Sequence, residues 1–173
     1  MSESTTATYE WTHLPRRKLE VAVFKLQRRI FKASQAGEVR RVHRLQKLLL
    51  QSRAAKLLAV RRVTQDNHGK QTAGVDGIKS LSPLQRQALA ENLGQLPIGS
   101  PTRRVWIPKP GTAERRPLSI PTLHDRALQA LVKQALEPEW EARFEPNSYG
   151  CRPGRSVHDA SCAIFPAIEK QPK

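Results

Sequence analysis

Leu19, Val23, Leu26 and Ile30 return at intervals of four, three and four residues, with Phe31 beside them. This spacing forms one apolar stripe of a helix over about residues 14–36, and Gly37 is placed to cap its end. A second helix turns Val42, Leu45 and Leu49 inward and runs on, or re-forms, through "RAAKLLAVRRV". The short connection between the two predicts an antiparallel pair. In "SPLQRQALAENLG", Ser82 is a helix cap, Pro83 takes the first helical position, Gln85 completes a capping box and Gly94 closes the helix.

The period changes to two in "RRVWIPKPGTAERRPLSIP" (103–121). Val105 and Ile107 face one way and Trp106 the other, Pro110-Gly111 turns the chain, and Leu118 and Ile120 alternate on the return. That is a β-hairpin whose Pro117 confines the second strand to an edge. Thr122 then starts a helix with Asp125 as capping partner and Ala127, Leu131 and Ala135 along one face, and Glu137-Pro138 is expected to break it. Ser156 and Asp159 form one more capping box. Between the second and third helices, "TQDNHGKQTAGVDGIKS" (64–80) has loop chemistry and is long for a compact domain. The expected fold class is α+β, mostly helical with one β-hairpin, divided into a helical extension over 1–63 and a second unit over 64–173.

Charge alters this picture. The chain carries 30 Lys+Arg against 15 Asp+Glu, and 15 of the basic residues with only 4 of the acids fall in residues 1–65. A cationic arm on a nearly balanced body points to a polyanion, of which nucleic acid is the commonest. Arg16, Arg17, Lys25, Arg28 and Arg29 on the first helix, with Arg40 and Arg44 on the second, surround the apolar stripes. Cys151 and Cys162 have neither zinc-ligand spacing nor a disulfide framework, which suits a reducing compartment. The polar, acid-containing start "MSESTTATYEW" is unlike a secretory signal, and no apolar run reaches membrane-spanning length. A cytoplasmic protein, bacterial or organellar and without a membrane partner, is expected. In "NSYGCRPGRSVHDA" (147–160) turn formers and cations feed a helix start, a setting that favours an anion or an acidic cap. On spacing alone, Arg152 reads equally well as an anion ligand or as the partner of a carboxylate.

Three stretches, in order, resemble the amino-terminal part of group II intron-encoded reverse transcriptases/maturases: "NHGKQTAGVDGI" (67–78), "RRVWIPKPGTAERRPLSIPTLHDRALQALV" (103–132) and "EPEWEARFEPNSYGCRPGRSVHDA" (137–160). The chain departs from the family pattern at Ser119, where glycine is common, and at Cys151, where an aromatic is common. The resemblance implies reverse-transcriptase fingers and the start of a palm behind the basic helical extension. It implies that Lys109 and Arg116 hold the triphosphate of an incoming nucleotide; strand alternation turns Arg115 away from Arg116. The resemblance further implies that Gly69, Thr72 and Gly74 lie against a template, with Arg152 and Arg155 near template or nucleotide, and that the basic helices bind structured intron RNA.

Polymerase chemistry needs two metal ions held by carboxylates. In the resembled family these stand on an apolar strand ending in Asp and on an aromatic-x-Asp-Asp hairpin. The aspartates here, Asp66, Asp76, Asp125 and Asp159, fit neither pattern, and the chain ends at "EKQPK", about where the first such strand is expected. The expectation is therefore an RNA-binding amino-terminal portion without catalytic palm, inactive as a polymerase by itself, with no catalytic residue, no metal site and no cofactor of its own. Mg2+ is expected only in a completed polymerase, with palm and thumb supplied in trans as one option. A stand-alone RNA-binding splicing factor and a non-functional remnant are the alternatives, and a general basic DNA-binding protein accounts for the charge but not for the three blocks.

Overall fold

The computed structural model describes residues 11–95 and 99–169. The polar start before Trp11 and the closing residues 170–173 lie outside the described residues.

Helix α1 (Arg16–Gln35) and helix α2 (Val39–Gln51) pack antiparallel, burying Val23, Ile30 and Ala33 against Val42, Leu45 and Leu49. The turn between them is made by Gly37, whose φ of 70° lies in the left-handed region that a side chain would strain. Ser52 adopts an extended conformation, so the chain re-forms a separate helix, α3 (Arg53–Arg61), rather than running on. The loop expected from residue 64 begins later. One π-helical turn (Arg62–Asp66) continues α3, closed by the Asn67 N–H on the Arg62 carbonyl at 3.0 Å. Thr64 donates back to the Val60 carbonyl at 2.9 Å, a bond that spacing does not signal.

Helix α4 (Pro83–Asn92) has both bonds of the capping box between Ser82 and Gln85 and lies against α3. Strands β1 (Arg103–Pro108) and β2 (Arg115–Ile120) form an antiparallel hairpin with Val105 opposite Leu118 and Trp106 opposite Pro117. Helix α5 (Leu123–Glu141) follows, and α6 (Val157–Glu169) closes the described chain. The core gathers residues from α1 to α5, including Ile30, Leu49, Val60, Leu131 and Ala135, and takes none from the hairpin.

Pro138 does not end α5; the helix continues to Glu141. A proline there removes the N–H that would bond the carbonyl four residues earlier. That carbonyl, on Gln134, instead accepts from Gln27 Nε2 of α1 at 3.0 Å. The next residue is also tied down: the Glu139 carbonyl accepts from Ser34 Oγ at 3.1 Å, and its carboxylate accepts from the buried Gln46 Nε2 at 2.6 Å. Tertiary donors thus carry the helix across its breaker.

Helix α6 buries none of its residues, and Val157, Ile164, Phe165 and Ile168 stand exposed. On α5, Val132, Leu136 and Trp140 line an open apolar groove with Phe144. No described helix is long and apolar enough to cross a membrane.

Candidate nucleic-acid interface

The candidate surface has four parts. On α1, Arg17, Lys25, Arg28 and Arg29 are exposed, and on α2 so are Arg40 and Arg44. Lys25, Arg28 and Arg29 stand at i, i+3 and i+4, and Arg40 and Arg44 at i and i+4, so each set forms a stripe opposite the buried one. None of these six forms an ion pair among the described residues. Arg16 differs: its Nε bonds Glu20 at 2.7 Å.

The second part is the hairpin. Cross-strand partners share a face, so Arg103, Val105 and Ile107 lie with Arg116, Leu118 and Ile120, while Arg104, Trp106 and Pro108 lie with Arg115, Pro117 and Ser119. Arg116 and Arg115 therefore point to opposite faces, as the alternation in the sequence predicts. Lys109 lies just beyond β1, where its Nζ meets Glu114 Oε2 at 2.6 Å and its N–H bonds the Glu114 carbonyl at 2.9 Å. The tip of the hairpin is thus cross-linked by main chain and side chain together.

The third part is the loop before α4, held to the start of α5. Gly74 is buried so closely against Thr122 that a Cβ would come within 2.8 Å of the Thr122 Cα. Arg126 of α5 donates from Nη1 to the Gly69 carbonyl at 3.1 Å and from Nη2 to the Thr72 carbonyl at 2.5 Å. One guanidinium thereby anchors the stretch containing Gly69, Thr72 and Gly74. Burial lowers the proton affinity of Arg126, and Asp76 opposes that in part.

Asp125 stands at the same helix start. Burial would raise its carboxyl, but the bond from the Thr122 hydroxyl, the neighbouring His124 and the N–H groups of Ser100 and Gly99 hold it below the ordinary aspartate range. The N–H groups of the chain leading into β1 thus face the same turn of α5 that holds the loop.

The bend at 147–156 is organised from inside. Arg152, only 8% exposed, bonds both Glu141 carboxylate oxygens and donates from Nη1 to the carbonyls of Glu145 and Ser148 at 2.9 and 2.7 Å. It also lies over the Phe144 ring. Of the two readings that spacing allowed for Arg152, the carboxylate partnership is the one the geometry displays. Its hydrogen bonds hold Glu141 below the ordinary carboxylate range, against the opposing effect of burial. Arg155 is half-buried, donating to the Pro146 carbonyl at 2.6 Å and standing over Tyr149. Asp159 accepts from the Ser156 N–H at 2.6 Å and from its hydroxyl at 2.7 Å, which completes the cap of α6 and lowers the Asp159 carboxyl.

The aspartates among the described residues are engaged as well. Asp125 and Asp159 are spent on caps, Asp76 accepts from the Ile78 N–H at 3.2 Å, and Asp66 faces Arg61 at 3.8 Å. Among the described residues no group of three or more His, Cys, Asp or Glu could hold a metal ion. Sequence reasoning missed Arg126, Gln27 and Glu141, whose partners are main-chain carbonyls or a distant guanidinium and leave no local pattern.

Residues 11–93 match the family described as the N-terminal domain of reverse transcriptase, and residues 107–173 match reverse transcriptase (RNA-dependent DNA polymerase). The chain belongs to the group II intron reverse transcriptase/maturase family. It is 37% identical over 154 residues to maturase-like protein 1 of Euglena gracilis, covering 83% of this chain and 32% of that protein. It is 36% identical over 144 residues to protein YkfC of Escherichia coli K12, covering 80% and 37%. The group II intron-encoded protein LtrA of Lactococcus lactis subsp. cremoris is 45% identical over 60 residues, 35% of this chain and 10% of that protein. The chain spans about a third of the length of the first two relatives and corresponds to the amino-terminal portion of the family.

Proposed function

We propose that this chain binds RNA as the amino-terminal part of a group II intron reverse transcriptase/maturase, and that it does not polymerise DNA by itself. The observation that carries this reading is the pair of cationic stripes on α1 and α2, left without acidic partners among the described residues. Cations with no carboxylate to neutralise them are free to displace counterions from phosphates. In this reading residues 1–63 form the RNA-binding arm and 64–173 the fingers and the start of the palm. Intron RNA meets Arg17, Lys25, Arg28, Arg29, Arg40 and Arg44, while Arg16 contributes less because Glu20 holds it. The anchored loop with Gly69, Thr72 and Gly74 lies along a template, and Arg155 stands beside it, positioned by the bend that Arg152 braces. Lys109 and Arg116 grip nucleotide phosphates once a palm is present; a Lys point charge and a planar Arg fork both suit phosphate oxygens. The palm and thumb cover the apolar surfaces left open on α5 and α6.

Filter binding of the purified chain to intron RNA at about 50 and about 200 mM salt tests the reading. The affinity should fall steeply, its logarithm dropping by about 0.7 per neutralised phosphate for each tenfold rise in salt where the contacts are to single strands. Binding that ignores salt would remove the arm as an RNA surface.

A further inference from the structure

The hairpin has a second face that the nucleotide grip does not use. Trp106 stands 54% exposed there, with Pro117 directly opposite on β2. An indole is a costly residue to leave in water, and the charged residues that share this face are all cations. Arg104 lies two residues before it on the same strand, and Arg115 lies opposite Pro108, two residues beyond it. At the rise of an antiparallel strand, each guanidinium is anchored about 7 Å from the indole along the strand direction. Both arginines are exposed, neither forms an ion pair among the described residues, and the face contains no carboxylate. Arg116, the residue assigned to the triphosphate, points the other way.

We propose that this outer face is a stacking platform for single-stranded RNA, with Trp106 receiving one unpaired base and Arg104 and Arg115 holding the phosphates on either side. A flat π-surface bracketed by cations matches a strand that offers flat rings at intervals along a negative backbone. An apolar protein segment would leave both guanidinium groups uncompensated. A duplex keeps its bases stacked on one another and offers the ring nothing. The inference rests on the RNA-binding reading above, and it adds a site to the hairpin that is separate from the nucleotide grip and from the basic arm.

The test is anisotropy titration of the full 173-residue chain against two labelled probes of equal length, an oligo(U) strand and a fully paired RNA duplex. Trp106→Ala should weaken oligo(U) binding by roughly tenfold, the scale of losing one base–aromatic stack. Trp106→Phe should retain most of the affinity because it keeps a ring. Duplex binding should be unchanged in both variants, and Trp140→Ala, which alters another exposed indole away from the hairpin, should leave both probes unaffected. Equal oligo(U) binding by wild type and Trp106→Ala overturns the platform while leaving the basic arm as the RNA surface. Equal losses on strand and duplex, or an equal loss in Trp140→Ala, also overturn it. If wild type binds neither probe, the RNA reading itself fails and the platform falls with it. If Trp106→Ala instead abolishes self-association at unchanged RNA affinity, the face belongs to a protein contact.

Discussion

Gln27 of α1 donates from Nε2 to the Gln134 carbonyl of α5, the carbonyl that Pro138 leaves without an intrahelical partner. A breaker and its remedy are thus separated by most of the chain and joined by one amide. Removing the donor leaves a part-buried carbonyl unpaired, so Gln27→Ala should cost about 1 kcal/mol. In a Pro138→Ala background the helix can supply its own N–H, and the same change should cost clearly less. Urea unfolding of both singles and the double variant measures that coupling. Equal costs in the two backgrounds would detach Gln27 from the proline.

Gly74 faces the main chain of Thr122 with no room for a methyl group. Gly74→Ala should push the loop off the start of α5, and overpacking of this kind costs about 1–3 kcal/mol. Amide exchange should accelerate around Gly69–Thr72, since Arg126 holds that segment to the same helix start. Unchanged exchange with a normal melting temperature would show that the space can be made at no cost.

The Glu141–Arg152 pair gives the bend an acid sensitivity. The folded-state carboxyl of Glu141 lies below its ordinary value of 4.5, chiefly through the Arg152 hydrogen bonds. A depressed carboxylate contributes its full stability above the ordinary value and loses it as pH falls through the folded-state value. Stability should therefore drop below about pH 4.5, and Glu141→Gln should flatten that acid limb while lowering stability at neutral pH. Thermal melts from pH 7 to pH 3 compare the two; parallel curves would assign the limb to other carboxylates.

In an assembled polymerase containing this region, Lys109→Ala and Arg116→Ala should each raise the KM for nucleotide by about tenfold or more, the scale of one charge-assisted phosphate contact. The Kd for RNA should stay within about twofold, the effect of one screened surface charge. If only the Kd moves, both side chains belong to the template instead. The ion pair of Lys109 with Glu114 makes Glu114→Gln a useful companion, since it frees the lysine without moving the strand.

What could be read from the sequence was what depends on neighbours a few residues away. Ser82 with Gln85 and Ser156 with Asp159 are capping pairs because donor and acceptor sit three residues apart. Alternation along the second strand places Arg115 and Arg116 on opposite faces, and their pairing with Pro108 and Ile107 agrees, whereas the cross-strand register itself came only from the structure. The continuation of α5 past Pro138 was out of reach, because its remedy comes from Gln27, 107 residues before the carbonyl it serves. Arg126 escaped for a related reason: carbonyls of Gly69 and Thr72 exist whatever the side chains, so a guanidinium that seeks them leaves no pattern. Arg152 was visible but ambiguous, since one cation can serve a ligand or a carboxylate and only distance separates the two.

Helix α6 presents Ile164, Phe165 and Ile168 to water along a ridge that nothing in the described residues covers. Kosmotropic ions strengthen the tendency of such surface to leave water, so ammonium sulfate should precipitate this polypeptide earlier than its high positive charge would lead a purifier to expect. Replacing Phe165 and Ile168 with lysine and glutamate should keep it in solution through the same salting-out step.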